Sequence, residues 1–356
     1  MPAAVLIAAS IGYFVIYNRT MDKVENTSPS TTQKLLRRMI PGLLLGFLVL
    51  IGLGLAGDLQ QVGLQIQRFN WWMFPAALGF TLCNYTLRFL KWHFYIRQIG
   101  AKNLAWQTSL RMFVAGFPLA VTPGKVGEAL KGVWLRSAAG IPVARGISVV
   151  VAERISDGLA VLGLSTVGVI AYPQYWPAFA LIMAGLAGIV VVSQVRPLAL
   201  WLLAAGERVP LLRRAVGGLR EFYEGSFALF RPGATLLAVG LGAISWLGEG
   251  VGFYLLLLGL GLPAGWNLFS LAVFTLSFST VVGAVSALPG GLGAAEASIA
   301  GMLALLGGIP GAAASAATLL IRLATLWFGV GLGLLAWLFS RDLLGLQAEE
   351  GRGAAG

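Results

Sequence analysis

Pro123-Gly124-Lys125-Val126-Gly127-Glu128, followed by Gly140-Ile141-Pro142 and then Arg154, is a series that the chain writes twice. The second copy runs Pro289-Gly290-Gly291-Leu292-Gly293, Gly308-Ile309-Pro310 and Arg322. Each arginine follows its Ile-Pro by twelve residues, so the repeat offset is 168 at both landmarks (310 − 142 and 322 − 154). Both arginines lie in long apolar runs. A charge inside hydrocarbon is expensive and is usually kept for a pathway or a binding site. Helices broken at matching places in two halves of a chain are the best sequence pointer to a transporter's substrate site.

Composition sets the class. With 58% hydrophobic and 11% charged residues and a mean hydropathy of +0.83, the chain has too few polar residues to cover a soluble surface. It reads as an all-α, polytopic membrane protein. The 48 glycines and 11 tryptophans fit, since small residues let helices approach closely and Trp favours the interface. A single cysteine, Cys83, excludes an intrachain disulfide, and a single histidine, His93, excludes a histidine-rich metal site.

Apolar runs near 40–57, 71–92, 142–172, 176–195, 234–261 and 310–340 match the roughly 20 residues that a span requires. Two further apolar stretches, 104–139 and 266–308, are each interrupted by Pro-Gly and read as re-entrant hairpins. Such a break is tolerated at membrane depth only where it faces protein or a watery cavity. With residue 39 inside, every Lys and Arg except Arg68, Arg154 and Arg322 falls on the cytoplasmic side. The net charge of +11 is therefore the positive-inside rule at work, and nucleic acid drops out as a partner.

Three spans separate the two hairpins, so they must enter from opposite faces. The expected plan is an inverted repeat of span, span, re-entrant hairpin, span. Residues 40–172 form the first repeat and 173–342 the second, preceded by an extra apolar segment and basic linker over 1–39 and followed by a disordered tail over 343–356. The apolar run 3–17 is either an additional span or lies upstream of a natural start at Met21 or Met39. The expected location is the cytoplasmic (inner) cell membrane.

At about 1.5 Å per residue, twelve residues from Pro142 or Pro310 is roughly 18 Å, near the middle of a ~30 Å core. Glu153 and Asp157 sit beside Arg154, and Asp157 at i+3 is close enough on a helix to pair with it. Arg322 has no acid next to it in sequence, which leaves Glu296, Glu249 or an anionic ligand. The bland alternative for both arginines is a buried ion pair that fixes helix register.

The segment at Pro123 and Gly124 opens a helix whose first amides carry partial positive charge, and Lys125 adds a full one, a setting that welcomes phosphate. Lys125, Glu128 and Lys131 are spaced i, i+3, i+6 and share roughly one face. The counterpart at Pro289, Gly290 and Gly291 offers the same amides without a lysine, with Glu296 in the first turns. Snorkelling at the cytoplasmic surface is the competing account of Lys131 and Arg136. Arg88 and Glu249 occupy matching places, each twelve residues before a glycine, Gly100 and Gly261. They are either partners or gates, although Arg88 with Lys91 and Trp92 could equally be an interfacial anchor. No nucleophile with an adjacent base, metal cluster, nucleotide-binding motif or phosphate-loop Lys-Ser pair is present. The expectation is a non-enzyme without cofactor or metal.

The ordered set Arg88-x-x-Lys91-Trp92, Pro123-Gly124-Lys125-x-Gly127-Glu128, Glu153-Arg154-x-x-Asp157, Leu288-Pro289-Gly290-Gly291-Leu292-Gly293-x-x-Glu296 and Arg322 resembles the lysylphosphatidylglycerol synthase transmembrane region. That family is also described as flippase-like and includes the membrane half of the bacterial multiple peptide resistance factor. The resemblance covers about residues 35 to 342. It implies an integral membrane protein with two re-entrant elements that moves lipids, such as aminoacylated phosphatidylglycerol, between leaflets. Only a short tail follows Arg341, so the synthase activity of two-part members is not expected, and some standalone relatives act in glycan or polyprenol-lipid pathways.

Two other classes stay open beside a flippase for an anionic or aminoacylated phospholipid. One is a membrane-embedded lipid-modifying enzyme using paired carboxylates. The other is a non-transporting scaffold that docks a separate lipid synthase or glycosyltransferase through 196–231. A homodimer is compatible with any of them.

Overall fold

The structure, a computed structural model, describes residues 58–122, 127–171, 176–197 and 210–340, together with most positions from 40 to 52 and residue 55. The expected N-terminal segment 1–39, the tail 343–356 and the apolar run 3–17 lie outside the described residues. Among those described, every regular element is helical. The helices are α1 (Leu59–Arg68), α2 (Met73–Gln98), α3 (Trp106–Ala115), α4 (Leu130–Ala139), α5 (Val143–Ala171), α6 (Trp176–Gln194), α7 (Pro210–Leu229), α8 (Pro232–Gly259), α9 (Trp266–Val285), α10 (Ala294–Leu305), α11 (Gly311–Arg322) and α12 (Phe328–Leu338).

Gly-Ile-Pro is a stop followed by a start in both copies. Gly140 (φ 68°) takes the left-handed conformation that caps α4, its N–H donating to Arg136 O, and Pro142 then leads into α5. Gly308 (φ 61°) makes the same turn after α10, and Pro310 is the N-cap of α11. Gly100 and Gly261 close α2 and α8 in the same left-handed region.

The helix α2 crosses α8 antiparallel. Asn70 N donates to Gly259 O near one end, Gly252 rests against Ala77 and Phe80 in the middle, and Gly242 lies by Lys91 toward the other end. At the crossing Asn84 Nδ2 donates to Ser245 O (3.2 Å) and Ser245 Oγ donates to Asn84 O (3.3 Å). Each broken segment divides its packing between the halves. α4 packs on α5 and α10 on α11, whereas α3 packs on α12 and α9 packs on α5.

Two short 3-10 turns, Phe117–Val121 and Pro289–Gly291, mark the breaks and touch each other. The helical residues around 42 lie over both. A Cβ on Gly42 would collide with the Val121 carbonyl oxygen and stand 3.3 Å from Pro289 Cβ.

Among the described residues, three helical stretches are long and apolar enough to cross a membrane: Pro232–Gly259, Trp266–Val285 and Gly311–Leu338. The second revises a detail of the sequence reading. The stretch 266–308, expected as a re-entrant hairpin, opens with the 20-residue α9, which runs without a proline or a charged residue as far as Ser286 and Ala287 (φ 54°). Gly311–Leu338 contains a π-turn, Leu323–Trp327, immediately after Arg322. Such a turn displaces a carbonyl from the helical ladder. Within the turn, Thr325 O accepts from the Phe328 N–H and also from Tyr85 Oη, the latter at 2.6 Å.

Two apolar clusters hold the assembly. One gathers Trp92, Tyr95, Met112, Phe113, Leu135, Val149 and Ala238, the other Ala77, Phe253, Leu256, Leu271, Ile299 and Leu303. Along α2 the contributions pass from Ala77 to Trp92, and along α8 from Ala238 to Phe253. Arg88, Lys91 and Glu249 fall between these contributions, so the fold interrupts its apolar packing with a belt of charge.

Candidate functional site

Ten charged side chains from α2, α4, α5, α8, α10, α11 and the turn before α4 make up the belt. Five are cationic (Arg88, Lys91, Lys131, Arg154, Arg322) and five acidic (Glu128, Glu153, Asp157, Glu249, Glu296). Pro123, Gly124, Lys125 and Val126 lie outside the described residues, so the expected lysine-bearing helix start carries no structural account here.

The two central arginines meet equivalent glutamates. Arg154 Nε stands 3.6 Å from Glu128 Oε2, and Arg322 Nε donates to Glu296 Oε1 at 2.5 Å. Both partners lie 26 residues before their arginine, and Glu128 and Glu296 are themselves 168 apart (296 − 128). Here the sequence reading is corrected: the acid within ion-pair distance of Arg154 is Glu128, on the turn before α4, rather than Asp157 one turn along its own helix.

The second pair is tightly held. Arg322 also donates through Nη2 to Gly290 O (3.1 Å), and Glu296 Oε2 accepts from Gly293 N (2.7 Å). Gly290, Gly291 and Gly293 all have positive φ at this break, and the arginine and glutamate satisfy the backbone groups that the break releases. Of the three partners open to Arg322 in the sequence, the fold gives it Glu296. The first pair is looser. Arg154 Nε makes no hydrogen bond, and 35% of its side chain is exposed against 13% for Arg322.

Lys131 points inward, contrary to the snorkelling account. Its ammonium lies 3.7 Å from Glu153 Oε2, with the rings of Trp92 and Phe113 at 4.9 and 5.3 Å. The aromatic faces add to the attraction of the carboxylate, which lets a lysine remain buried. Lys91 is fully buried and bonded to Asp157 Oδ1. It is the functional candidate that the sequence reading set aside as an interfacial anchor, and its i+3 spacing from Arg88 was the available signal. Arg88 approaches Asp157 Oδ2 at 3.7 Å, and its guanidinium lies 5.9 Å from the centre of the Trp246 ring.

Glu249 is buried (5% exposed) but, unlike the other four acids, has no ion pair or hydrogen bond among the described residues. Arg88 and Arg322 act on it only through longer-range Coulomb interaction. Of the readings open to Arg88 and Glu249, partners or gates, the direct pairing is not made, and Arg88 lies by Asp157 instead. His93 shares a hydrogen bond with Ser109 (3.0 Å), and Cys83 is exposed. No three His, Cys, Asp or Glu side chains among the described residues come together as a metal site would need.

A helical bundle with spans of this length and a charged belt buried among them defines an integral membrane protein. The family model of the lysylphosphatidylglycerol synthase TM region matches residues 40–333, and the chain belongs to that family. A "UPF0104 membrane protein" from Methanothermobacter thermautotrophicus is 25% identical, over 74% of this chain and 82% of the relative. No solved structure matches the chain.

Proposed function

We propose that the chain is a lipid translocase of the cytoplasmic membrane, carrying an anionic or aminoacylated phospholipid, phosphatidylglycerol among them, between leaflets. Its two halves act as inverted repeats whose broken segments enter the membrane from opposite faces, and the headgroup passes through a polar passage between them. The antiparallel crossing of α2 and α8 at matching positions, the two touching breaks and the exchange of packing between halves support this arrangement. The lipid phosphate is received by Arg154 with Lys125 and the amides of the first break. Glu128, Lys131, Glu153 and Asp157 balance and position these charges, while Arg322 and Glu296 hold the second break in shape.

One observation carries the reading: of two equivalent arginines, Arg322 is closed in by hydrogen bonds to Glu296 and Gly290, whereas Arg154 keeps 35% of its side chain exposed. A purely structural role would close both, because a buried charge is stabilised only by good geometry and further hydrogen bonds. Catalysis is not part of the proposal, since the belt offers acids and cations but no nucleophile beside a base. Liposomes containing the protein and a labelled anionic phospholipid test it directly. Leaflet exchange should rise with wild type and fall to the protein-free level with Arg154→Ala; equal exchange in both removes the idea.

A further inference from the structure

Glu249 is the acid in the belt that the ion-pair network leaves out. The groups facing it are Tyr85 and Arg88 from α2, Asp157 from α5 and Arg322 from α11. The helix α9, which also packs on α8, carries no titratable side chain, and Lys91 of α2 meets α8 two turns away at Gly242. Three of these groups are committed elsewhere: Arg322 is bonded to Glu296 and Gly290, Asp157 to Lys91, and Tyr85 to Thr325 O. Arg88 is not. Its Nε is buried without a hydrogen bond, its contact with Asp157 is long, and it reaches α8 through Trp246, three residues before Glu249.

Charge balance gives this arrangement a consequence. An ionised Glu249 beside Arg88 would offset the positive charge that an entering anion meets there, and a buried charge without a partner is costly away from water. With Glu249 neutral, the charge of Arg88 is left for a phosphodiester monoanion.

We propose that Glu249 is a proton-carrying group coupled to anion binding: a phosphodiester monoanion enters the belt beside Arg88 together with one proton, which the Glu249 carboxylate takes from solvent. When the anion leaves, the proton returns to solvent, and no bond within the ligand changes. Movement of the anion would then follow a proton gradient. The ligand chemistry is shared by a lipid headgroup and a free phosphodiester; assigning it to a lipid rests on the function proposed above.

Calorimetric titration of the purified full chain, in buffers of different ionisation enthalpy, counts the protons taken up. Two probes that do not themselves titrate near neutral pH are used, dihexanoyl phosphatidylglycerol and dimethyl phosphate. Wild type should take up about one proton per anion, with affinity falling about tenfold per pH unit across the range where Glu249 ionises in the free protein. Glu249→Gln should bind without uptake and with no pH slope, and Glu249→Asp, which retains a carboxyl, should keep the uptake. Binding of phosphatidylglycerol with no proton taken up, or uptake that persists in Glu249→Gln, overturns the proposal and leaves the lipid reading standing. Proton-linked binding of dimethyl phosphate without binding of phosphatidylglycerol upholds the proposal and removes the lipid reading. Failure of wild type to bind either probe overturns both.

Discussion

Asn84 and Ser245, 161 residues apart, each donate a side-chain hydrogen bond to the other's backbone carbonyl, at 3.2 and 3.3 Å. Arg88 and Glu249 are separated by the same 161 positions (249 − 88), each four residues beyond the reciprocal pair, which marks where α2 and α8 cross. Inter-helical hydrogen bonds of this kind are worth about 0.6 kcal/mol on average within a membrane. Asn84→Ala and Ser245→Ala are therefore each expected to lower stability only mildly. Steric-trap or denaturant unfolding should give a loss of about 0.6 kcal/mol for each single variant and an additive loss for the double, because each bond ends on a backbone carbonyl that the other substitution leaves in place; no loss in either single variant would show that the bonds do not hold the crossing.

Arg322→Ala is expected to be far more damaging. It strands Glu296 as a buried, uncompensated carboxylate and frees the carbonyl of Gly290. Breaking a buried pair by removing one partner costs roughly 3–5 kcal/mol. Thermal unfolding in detergent should show a large loss, whereas Arg154→Ala, which removes a longer and more exposed contact, should unfold close to wild type.

Tyr85→Phe deletes one donor that serves Thr325 O in the π-turn. The carbonyl keeps the Phe328 N–H as a second donor, so the loss is that of one ordinary hydrogen bond, about 0.5–1.5 kcal/mol, and hydrogen exchange should accelerate over 323–329 ahead of the rest of the helix. Protection unchanged there would mean that another group or water takes over the carbonyl.

The neighbouring glycines of the second break separate two causes of strain. Gly290 (φ 62°) has room for a Cβ, with its nearest neighbour at 3.4 Å, so Gly290→Ala bears only the left-handed backbone penalty of about 1–2 kcal/mol. Gly291 (φ 67°) faces the backbone of Gly283 at 2.9 Å, so Gly291→Ala adds a collision that no side-chain rotation relieves. Comparison of melting temperatures should place Gly291→Ala clearly below Gly290→Ala.

Much of the fold was legible because its signals are local. Gly-Ile-Pro ends one helix and starts the next by backbone geometry alone, and Arg154 and Arg322 declare themselves by interrupting apolar runs. The ion pairing was harder to read, because it is decided between helices. Asp157 is the obvious neighbour of Arg154 along the chain, but Lys91, approaching from another helix, takes it, and the glutamate 26 residues upstream takes the arginine. The equal spacing of Glu128–Arg154 and Glu296–Arg322 was present in the sequence all along; helix-face reasoning, which looks three or four residues away, does not register it. Lys91 was obscured by Trp92, since a lysine beside a tryptophan suits a membrane interface as well as it suits a core.

A translocase built this way must bring a phospholipid headgroup to Glu128 and Arg154. A phosphatidylglycerol analogue bearing a photoreactive headgroup, crosslinked to the protein in bilayers and mapped by peptide mass spectrometry, measures this directly. The label is expected on peptides containing Glu128 and Arg154 and should be lost on competition with unlabelled phosphatidylglycerol. Labelling confined to the lipid-facing residues of α6 and α8, unaffected by competitor, would contradict it.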